Sequence, residues 1–269
     1  MLEKELRVWV NSVPTWMSRG LVITVSGLLL AASPSGAGTG SPLVAGVAAL
    51  GRPVVCGGPR GRAVALTFDD GPGPASAGLV RILQRAHARA TFFLVGRQVA
   101  QWPYLAARER QVGALGDHTW SHARLTRMGV EGISRQLVWT KHAIERATRT
   151  PVQLFRPPYG AHNRAVDETA RTLGLLEVLW SVDSRDSEGA PASRVASNVE
   201  RGLRPGSIVL LHENHPETVR ALRDEILPYL RAHRLNAVGI PELLRVDPPG
   251  RKLLAAGLAG CLRLPGVGR

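Results

Sequence analysis

Short apolar runs alternate with amphipathic segments from about residue 62 to about residue 245. The apolar runs are three to six residues long and contain β-branched side chains, which is typical of buried strands. They predict strands at residues 63–68, 91–95, 152–155, 177–182, 207–211 and 236–238. Because strands that alternate with helices form parallel βαβ units, the pattern predicts an α/β fold.

The amphipathic segments between these runs have helical periodicity. One segment, at residues 131–148, predicts a helix whose apolar residues share one face: Ile133, Leu137, Ile144 and Ala147. A second segment repeats the spacing with Val219, Leu222, Ile226 and Leu230. Candidate polar side chains follow the apolar runs directly or lie in loops, which matches the active-site face of a parallel barrel.

The two ends of the chain differ from this central region. Residues 21–32 carry no charge and follow Arg19, so residues 1–37 are predicted to hold a secretory signal. Twelve uncharged residues are too few for a stable transmembrane span, although a short anchor or a buried helix is the alternative. Met17 would give a more ordinary signal start. We expect a linker and lead-in at residues 38–61, one catalytic domain at 62–245 and a tail at 246–269.

Composition indicates a globular protein with a substantial basic charge. The apolar share of 44% is enough for a core, and the formal net charge is +13. The charge comes almost entirely from arginines spread along the chain, so it favours a general attraction to polyanions over a dedicated nucleic-acid site. Cys56 and Cys261 either form one disulfide or stay as two free thiols.

Three short segments carry the candidate chemistry. Asp69 and Asp70 stand where an apolar run ends, and the glycines and prolines at residues 71–74 would turn both carboxylates toward one site. His118 and His122 have the spacing of a metal-binding pair, and His212 ends another apolar run.

A divalent metal needs about three protein ligands and an open position to activate water. Asp70, His118 and His122 meet that need, and Asp69 and His212 are left for proton transfer. Taken singly, the Asp-Asp turn could be a solvated loop and the histidine pair a coincidence. Together the segments predict a metal-dependent hydrolase.

The chain resembles the polysaccharide deacetylases of the NodB-homology type, carbohydrate esterase family four. Five motifs of that family occur in order, at residues 67–71 (TFDDG), 118–122 (HTWSH), 156–159 (RPPY), 183–186 (DSRD) and 210–212 (LLH). Residues 90–96 (ATFFLVG) also resemble its second strand. The resemblance covers about residues 62–245 and implies a distorted (β/α) barrel.

The resemblance also implies a role for each matching residue. The metal ligands would be Asp70, His118 and His122. Asp69 would be the general base and His212 the general acid. Arg156 would hold Asp69, and Asp186 would orient His212 with Asp183 nearby. The backbone N–H of Tyr159 would stabilise the oxyanion. Leu210 and Pro157 would contact the substrate. An Asp/His/His ligand set suits Zn²⁺, with Co²⁺ or Ni²⁺ as alternatives.

Two positions depart from the family pattern. Ser187 stands where the family usually has tryptophan, so either a pocket wall is missing or Trp139 or Trp180 replaces it from elsewhere in space. Asp117 stands where asparagine is more common, and we expect it to add charge or to orient an imidazole.

The expected function is therefore removal of N-acetyl groups from peptidoglycan or a chitin-like glycan, by a secreted or envelope-associated monomer. A basic surface would favour an anionic cell wall. The alternatives are an O-acetyl esterase acting on xylan and a catalytically inactive glycan-binding module on the same fold. A nucleic-acid-binding role has only the charge in its favour.

Overall fold

The computed structural model describes residues 40–263, which form an α/β fold around one parallel sheet. Its strands are β1 (Ala63–Gly71), β2 (Ala90–Leu94), β3 (Gly113–Asp117), β4 (Leu154–Phe155), β5 (Leu176–Glu177), β6 (Val182–Asp183), β7 (Ile208–His212) and β8 (Asn236–Val238). Their order is β5-β4-β3-β2-β1-β7-β6, and β8 pairs with the start of β1. The end strands β5 and β6 do not pair with each other in the described residues, so the curled sheet is an open half-barrel. The predicted fold class is confirmed in this open form.

Helices follow most of the strands, as expected for βαβ units. They are α1 (Pro42–Ala48), α2 (Ser76–Arg85), α3 (Gly96–Gln101), α4 (Pro103–Val112), α5 (Val130–Thr148), α6 (Arg164–Thr172), α7 (Ala192–Gly202), α8 (Pro216–Ala221), α9 (Leu227–Ala232), α10 (Ile240–Val246) and α11 (Arg251–Cys261). A π-helical turn, Leu222–Ile226, joins α8 to α9. The helix predicted at residues 131–148 is α5, which begins one residue earlier.

Strand β1 shows how the sequence pattern produces two separate cores. Its even-numbered side chains, Val64, Leu66 and Phe68, pack into one apolar cluster. Ala63 and Ala65 pack into the other, on the opposite face. By the same alternation Thr67 and Asp69 belong to the face of the two alanines. The Asp69 carboxylate therefore lies on this face, near the carboxyl end of the central strand.

The predicted strands differ from the structure in two places. Strand β3 was missed, because its sequence GALGD contains two glycines and little β propensity. It forms because β2 and β4 pair with it on either side. The single strand expected at residues 177–182 is two short strands, β5 at one edge of the sheet and β6 at the other.

Both flanks of the predicted catalytic domain contain ordered structure. Helix α1 lies in the segment expected to be a linker and buries Val44. Helix α11 lies in the expected tail, and its Cys261 forms a disulfide with Cys56. The pairing left open by the sequence is thereby settled, and a disulfide indicates an oxidising compartment.

The expected secretory signal at residues 1–37, with its possible start at Met17, lies outside the described residues. Among residues 40–263 no helix has the length and apolar character needed to cross a membrane.

Candidate active site

The two adjacent aspartates reach one site because the backbone turns at the second of them. Strand β1 continues past Asp69, but the register with β2 shifts between Asp69 and Gly71. Asp70 has a φ of 71°, in the left-handed region that residues other than glycine seldom occupy. Both carboxylates consequently face His118: its Nε2 lies 3.8 Å from Asp69 Oδ2 and 3.5 Å from Asp70 Oδ1.

Asp70, His118 and His122 have the geometry of a metal site. Asp70 Oδ1 lies 3.5 Å from His118 Nε2 and 3.2 Å from His122 Nε2. Ligands about 2.0–2.1 Å from a tetrahedral ion lie about 3.3 Å apart, so both distances fit a shared cation. Asp70 Oδ1 is buried and receives no hydrogen bond from the described residues, which leaves it free to bind an ion. The predicted ligands fit a divalent metal.

His118 is held in the form that a metal requires. Its Nδ1 lies 2.7 Å from the carbonyl oxygen of Arg156, so Nδ1 carries the proton and Nε2 presents its lone pair to Asp70 and His122. Burial lowers the pKa of His118 to about 3, which keeps the imidazole neutral. The ring is therefore oriented and deprotonated before any ion arrives.

The segment from His118 to His122 is a folded loop. Thr119 and His122 both have positive φ values, 66° and 56°. Asp117 Oδ1 accepts a hydrogen bond from the Thr119 N–H at 2.7 Å. The expectation that Asp117 orients an imidazole is wrong, because the acceptor for His118 is the Arg156 carbonyl and Asp117 is used to shape the loop. Burial also raises the pKa of Asp117 well above its ordinary value.

Asp69 lies against a buried arginine. Arg156 follows β4 and is fully buried, and its Nη1 donates to Asp69 Oδ1 and to Thr67 Oγ1, both at 2.8 Å. Its remaining nitrogens donate to two backbone carbonyls, and its guanidinium lies 4.2 Å from the centre of the Phe93 ring. Burial raises the pKa of Asp69, while the charge and hydrogen bond of Arg156 act in the opposite direction.

His212, at the end of β7, is held by Asp186. The two Asp186 oxygens accept hydrogen bonds from His212, one from Nδ1 at 2.7 Å and one from the backbone N–H at 2.7 Å. Thr218 donates a third hydrogen bond, at 2.6 Å, to Asp186 Oδ2. Burial alone would lower the pKa of His212, but the hydrogen bond and charge of Asp186 outweigh it and raise that pKa to about 9. His212 is thus protonated at neutral pH.

Comparisons with known proteins point to one family. Residues 57–178 match the family model described as "Polysaccharide deacetylase". The chain is 35% identical over 189 residues to a peptidoglycan-N-acetylglucosamine deacetylase of Bacillus cereus, covering 68% of this chain and 88% of that protein. This chain belongs to the polysaccharide deacetylase family.

Two further relatives mark the limits of the similarity. The Listeria monocytogenes peptidoglycan-N-acetylglucosamine deacetylase PgdA is 37% identical over 182 residues, which cover 67% of this chain. This chain spans only 38% of the length of that protein. A crystal structure of a CE4 family pseudoenzyme from Bacillus anthracis has a TM-score of 0.68 at 29% identity, covering 71% of this chain and 68% of that one.

In this member of the polysaccharide deacetylase family, two of the three predicted substrate residues, Tyr159 and Leu210, lie beside His122 or on the face that carries Asp69. Tyr159 has a φ of 64°, and its exposed ring lies 4.8 Å from the His122 ring. Pro157 is buried beside Arg156 in the chain. Leu210 pairs in register with Thr67, so it belongs to the face of the sheet that carries Asp69.

Asp183 pairs in register with Leu210 of β7. It is exposed at the end of β6, and its side chain accepts the Arg185 backbone N–H at 2.9 Å. Its contact is with the turn that leads to Asp186 rather than with His212.

The two tryptophans proposed to replace the family residue at position 187 lie in different places. Trp180 packs on the Tyr159 turn: a Cβ at Gly160 would lie 2.8 Å from its ring. Trp139 is on α5, half exposed, and makes an edge contact with Trp120. Of the two, only Trp180 borders the turn that carries Tyr159.

Sequence reasoning missed the residues that support the Asp70 turn. Asn214 donates from Nδ2 to the Asp70 carbonyl at 2.6 Å. Glu213 is fully buried directly behind Gly71, where a Cβ would lie 1.1 Å from Glu213 Oε1. Both follow His212 in the chain, but nothing in their local pattern distinguishes them from ordinary loop residues. Their role depends on the parallel pairing of β1 with β7.

Proposed function

We propose that this protein is an extracytoplasmic, metal-dependent deacetylase that removes N-acetyl groups from a peptidoglycan or chitin-like glycan. The observation that supports it most is the convergence of three parts: the Asp70, His118 and His122 cluster, the Asp69–Arg156 pair and the His212–Asp186 pair. Binding of a glycan alone would need neither of the two pairs. The relatives named above support the substrate class, and the disulfide supports the location.

The donor set supports Zn²⁺ as the ion. One carboxylate and two imidazoles with room for a fourth ligand are the ligands that zinc binds in hydrolases, although Co²⁺ and Ni²⁺ accept the same donors. When bound, a divalent ion supplies a Lewis acid that polarises a carbonyl group and makes water more acidic.

The chain's own residues then divide the proton transfers. Asp69 accepts the proton of the attacking water, and Arg156 keeps its carboxylate oriented through the 2.8 Å hydrogen bond. The backbone N–H of Tyr159 stabilises the oxyanion, a contribution often worth about 3–4 kcal/mol. His212, protonated because of Asp186, donates a proton to the departing amine. An amine is a poor leaving group, so this last transfer is essential.

The test is product analysis on three acetylated glycans. The purified chain, with Zn²⁺ added, is incubated separately with a defined N-acetyl chito-oligosaccharide, peptidoglycan and acetyl-xylan. We expect acetate together with free amino groups on one of the first two substrates. Acetate from xylan alone would make the protein an O-acetyl esterase, and no acetate from any substrate would make it a binding module. Either result overturns the proposal.

A further inference from the structure

A second group of metal-ligating side chains lies at the edge of the sheet. Of the two groups of histidine and carboxylate residues close enough to share an ion in residues 40–263, one is the Asp70 cluster and the other is His162, Asp167 and Glu177. His162 follows the Tyr159 turn, Asp167 lies on α6, and Glu177 ends β5. We call these three residues the edge cluster. They join a loop, a helix and the outermost strand.

The ligand atoms of the edge cluster are spaced for one ion. His162 Nδ1 lies 3.0 Å from Asp167 Oδ1 and 3.4 Å from Glu177 Oε1. These distances resemble those of 3.2 Å and 3.5 Å in the Asp70 cluster. Both pairs are close to the separation of about 3.3 Å expected between ligands around a tetrahedral cation.

Glu177 is a buried carboxylate, and the basic group beside it among the described residues is the imidazole of His162, at 3.4 Å. The Glu177 side chain is 5% exposed, and neither carboxylate oxygen receives a hydrogen bond from the described residues. Arg164, on the same helix as Asp167, donates to Glu168 at 2.9 Å. A buried carboxylate must be neutralised by a proton or by a cation, because an isolated charge costs several kcal/mol away from water.

The charge of the edge cluster matches a divalent ion. Two carboxylates and one neutral imidazole sum to −2, which one divalent cation balances. The competing arrangement is a proton held between the carboxylates: burial, followed by the charge of Asp167, raises the pKa of Glu177 to about 8. The side chains of His162 and Asp167 are 31% and 25% exposed, so an ion from solvent can reach the cluster and keep water ligands.

We propose that His162, Asp167 and Glu177 form a second divalent-cation site, with Zn²⁺ the best match to one imidazole and two carboxylates. The site links the end of β5 to the loop that begins at Tyr159. Its ion has a structural role, because it fixes the position of that loop relative to the sheet. The site is separate from the Asp70 cluster and does not depend on the proposed deacetylase activity.

The test counts ions per chain. The full chain is equilibrated with Zn²⁺ and a competing chelator that keeps weak surface sites empty, and bound zinc is measured by mass spectrometry. We expect two ions in the wild type and one in each of the variants His162→Ala and Glu177→Gln. Glu168→Gln, a neighbouring carboxylate on α6, is the matched control and should keep two ions.

The His118→Ala variant separates the two sites, because it should lose the other ion and keep one. His162 is on the surface, so its substitution by alanine leaves the fold intact even if Glu177→Gln does not. One ion in the wild type that His118→Ala removes, or two ions in both His162→Ala and Glu177→Gln, would overturn the proposal. Neither result depends on whether acetate is released in the assay described above.

Discussion

The Asp70 cluster and the edge cluster hold similar ligand atoms at similar distances, but their surroundings differ. In the Asp70 cluster the His118 ring is fixed by the Arg156 carbonyl and neighbours a carboxylate, Asp69, that is held by an arginine. In the edge cluster His162 is partly exposed, and its Nδ1 faces the two carboxylates directly. An ion can fit both, but among the described residues only the first has an arginine-held carboxylate and an imidazole oriented by a backbone carbonyl. We therefore expect hydrolytic chemistry at the first cluster, because of the residues around its ligands.

The strongest way to break this comparison is to remove one histidine from each cluster. We expect His118→Ala to lower kcat/KM for acetate release by more than about 10³-fold. The variant loses transition-state stabilisation of several kcal/mol, and each 1.4 kcal/mol lost lowers the rate about tenfold. His162→Ala should stay within about tenfold of the wild type. Steady-state kinetics at saturating Zn²⁺ measure both. Equal losses in the two variants would contradict the assignment of catalysis to the Asp70 cluster.

A second pair of variants separates proton transfer from ion binding. Asp69→Asn should lower kcat by about 10²–10⁴-fold, the usual contribution of a general base, while the chain still binds its ion at the Asp70 cluster. Asp167→Asn should do the reverse, losing one ion with little change in kcat. Turnover and bound zinc are measured on the same samples. Full turnover in Asp69→Asn would remove Asp69 from its proposed role.

The pH dependence of turnover tests the support of His212. A general acid must be protonated, so activity should decline as pH rises through the raised pKa of about 9. In Asp186→Asn burial is opposed only by the charges of Asp69 and Asp70, so the pKa of His212 should fall below 9 toward its ordinary value. The descending limb of the kcat profile then moves to lower pH, with about a tenfold loss at pH 8.

Thr218→Val is the matched control, because Thr218 reaches His212 only through Asp186. In Thr218→Val the descending limb of the kcat profile should also move to lower pH, by a smaller amount. A descending limb that stays in place in Asp186→Asn would show that another group is the acid.

The smallest expected effect concerns stability at the edge cluster. Folding raises the pKa of Glu177 from 4.5 to about 8 when no divalent ion is bound. Between pH 4.5 and pH 8 the folded chain therefore binds more protons at Glu177 than the unfolded chain does. The free energy of unfolding should therefore fall as pH rises from about 4.5 to 8, by at most about 1.4 kcal/mol per pH unit. In Glu177→Gln the free energy of unfolding should lack this dependence on pH. At pH 8, adding Zn²⁺ should stabilise the wild-type protein.

Urea unfolding midpoints with a chelator and with Zn²⁺ measure this effect. The same slope in the wild type and in Glu177→Gln would show that Glu177 is not the titrating group. No gain from Zn²⁺ at pH 8 would mean that the edge cluster holds a proton rather than an ion.

The strands and the first cluster were predictable because their signals are local. The runs at residues 63–68 and 207–211 became β1 and β7, with β1 extended to Gly71. The histidines at 118 and 122 and the adjacent aspartates carry their spacing in the sequence itself. Strand β3 was not predictable in this way, since its glycine-rich residues pair only because two neighbours provide hydrogen bonds on both sides.

The sequence by itself determined the alternation of strands and helices, and with it which residues end strands at one edge of a parallel sheet. Tertiary structure alone decided the rest: the Arg156 carbonyl as the partner of His118, the disulfide across 205 residues, and the edge cluster. His162, Asp167 and Glu177 are separated by five and ten residues and follow no periodic pattern. Their approach depends on how a loop, a helix and an edge strand pack, because periodicity reports only the environment of each element and not the distance between elements.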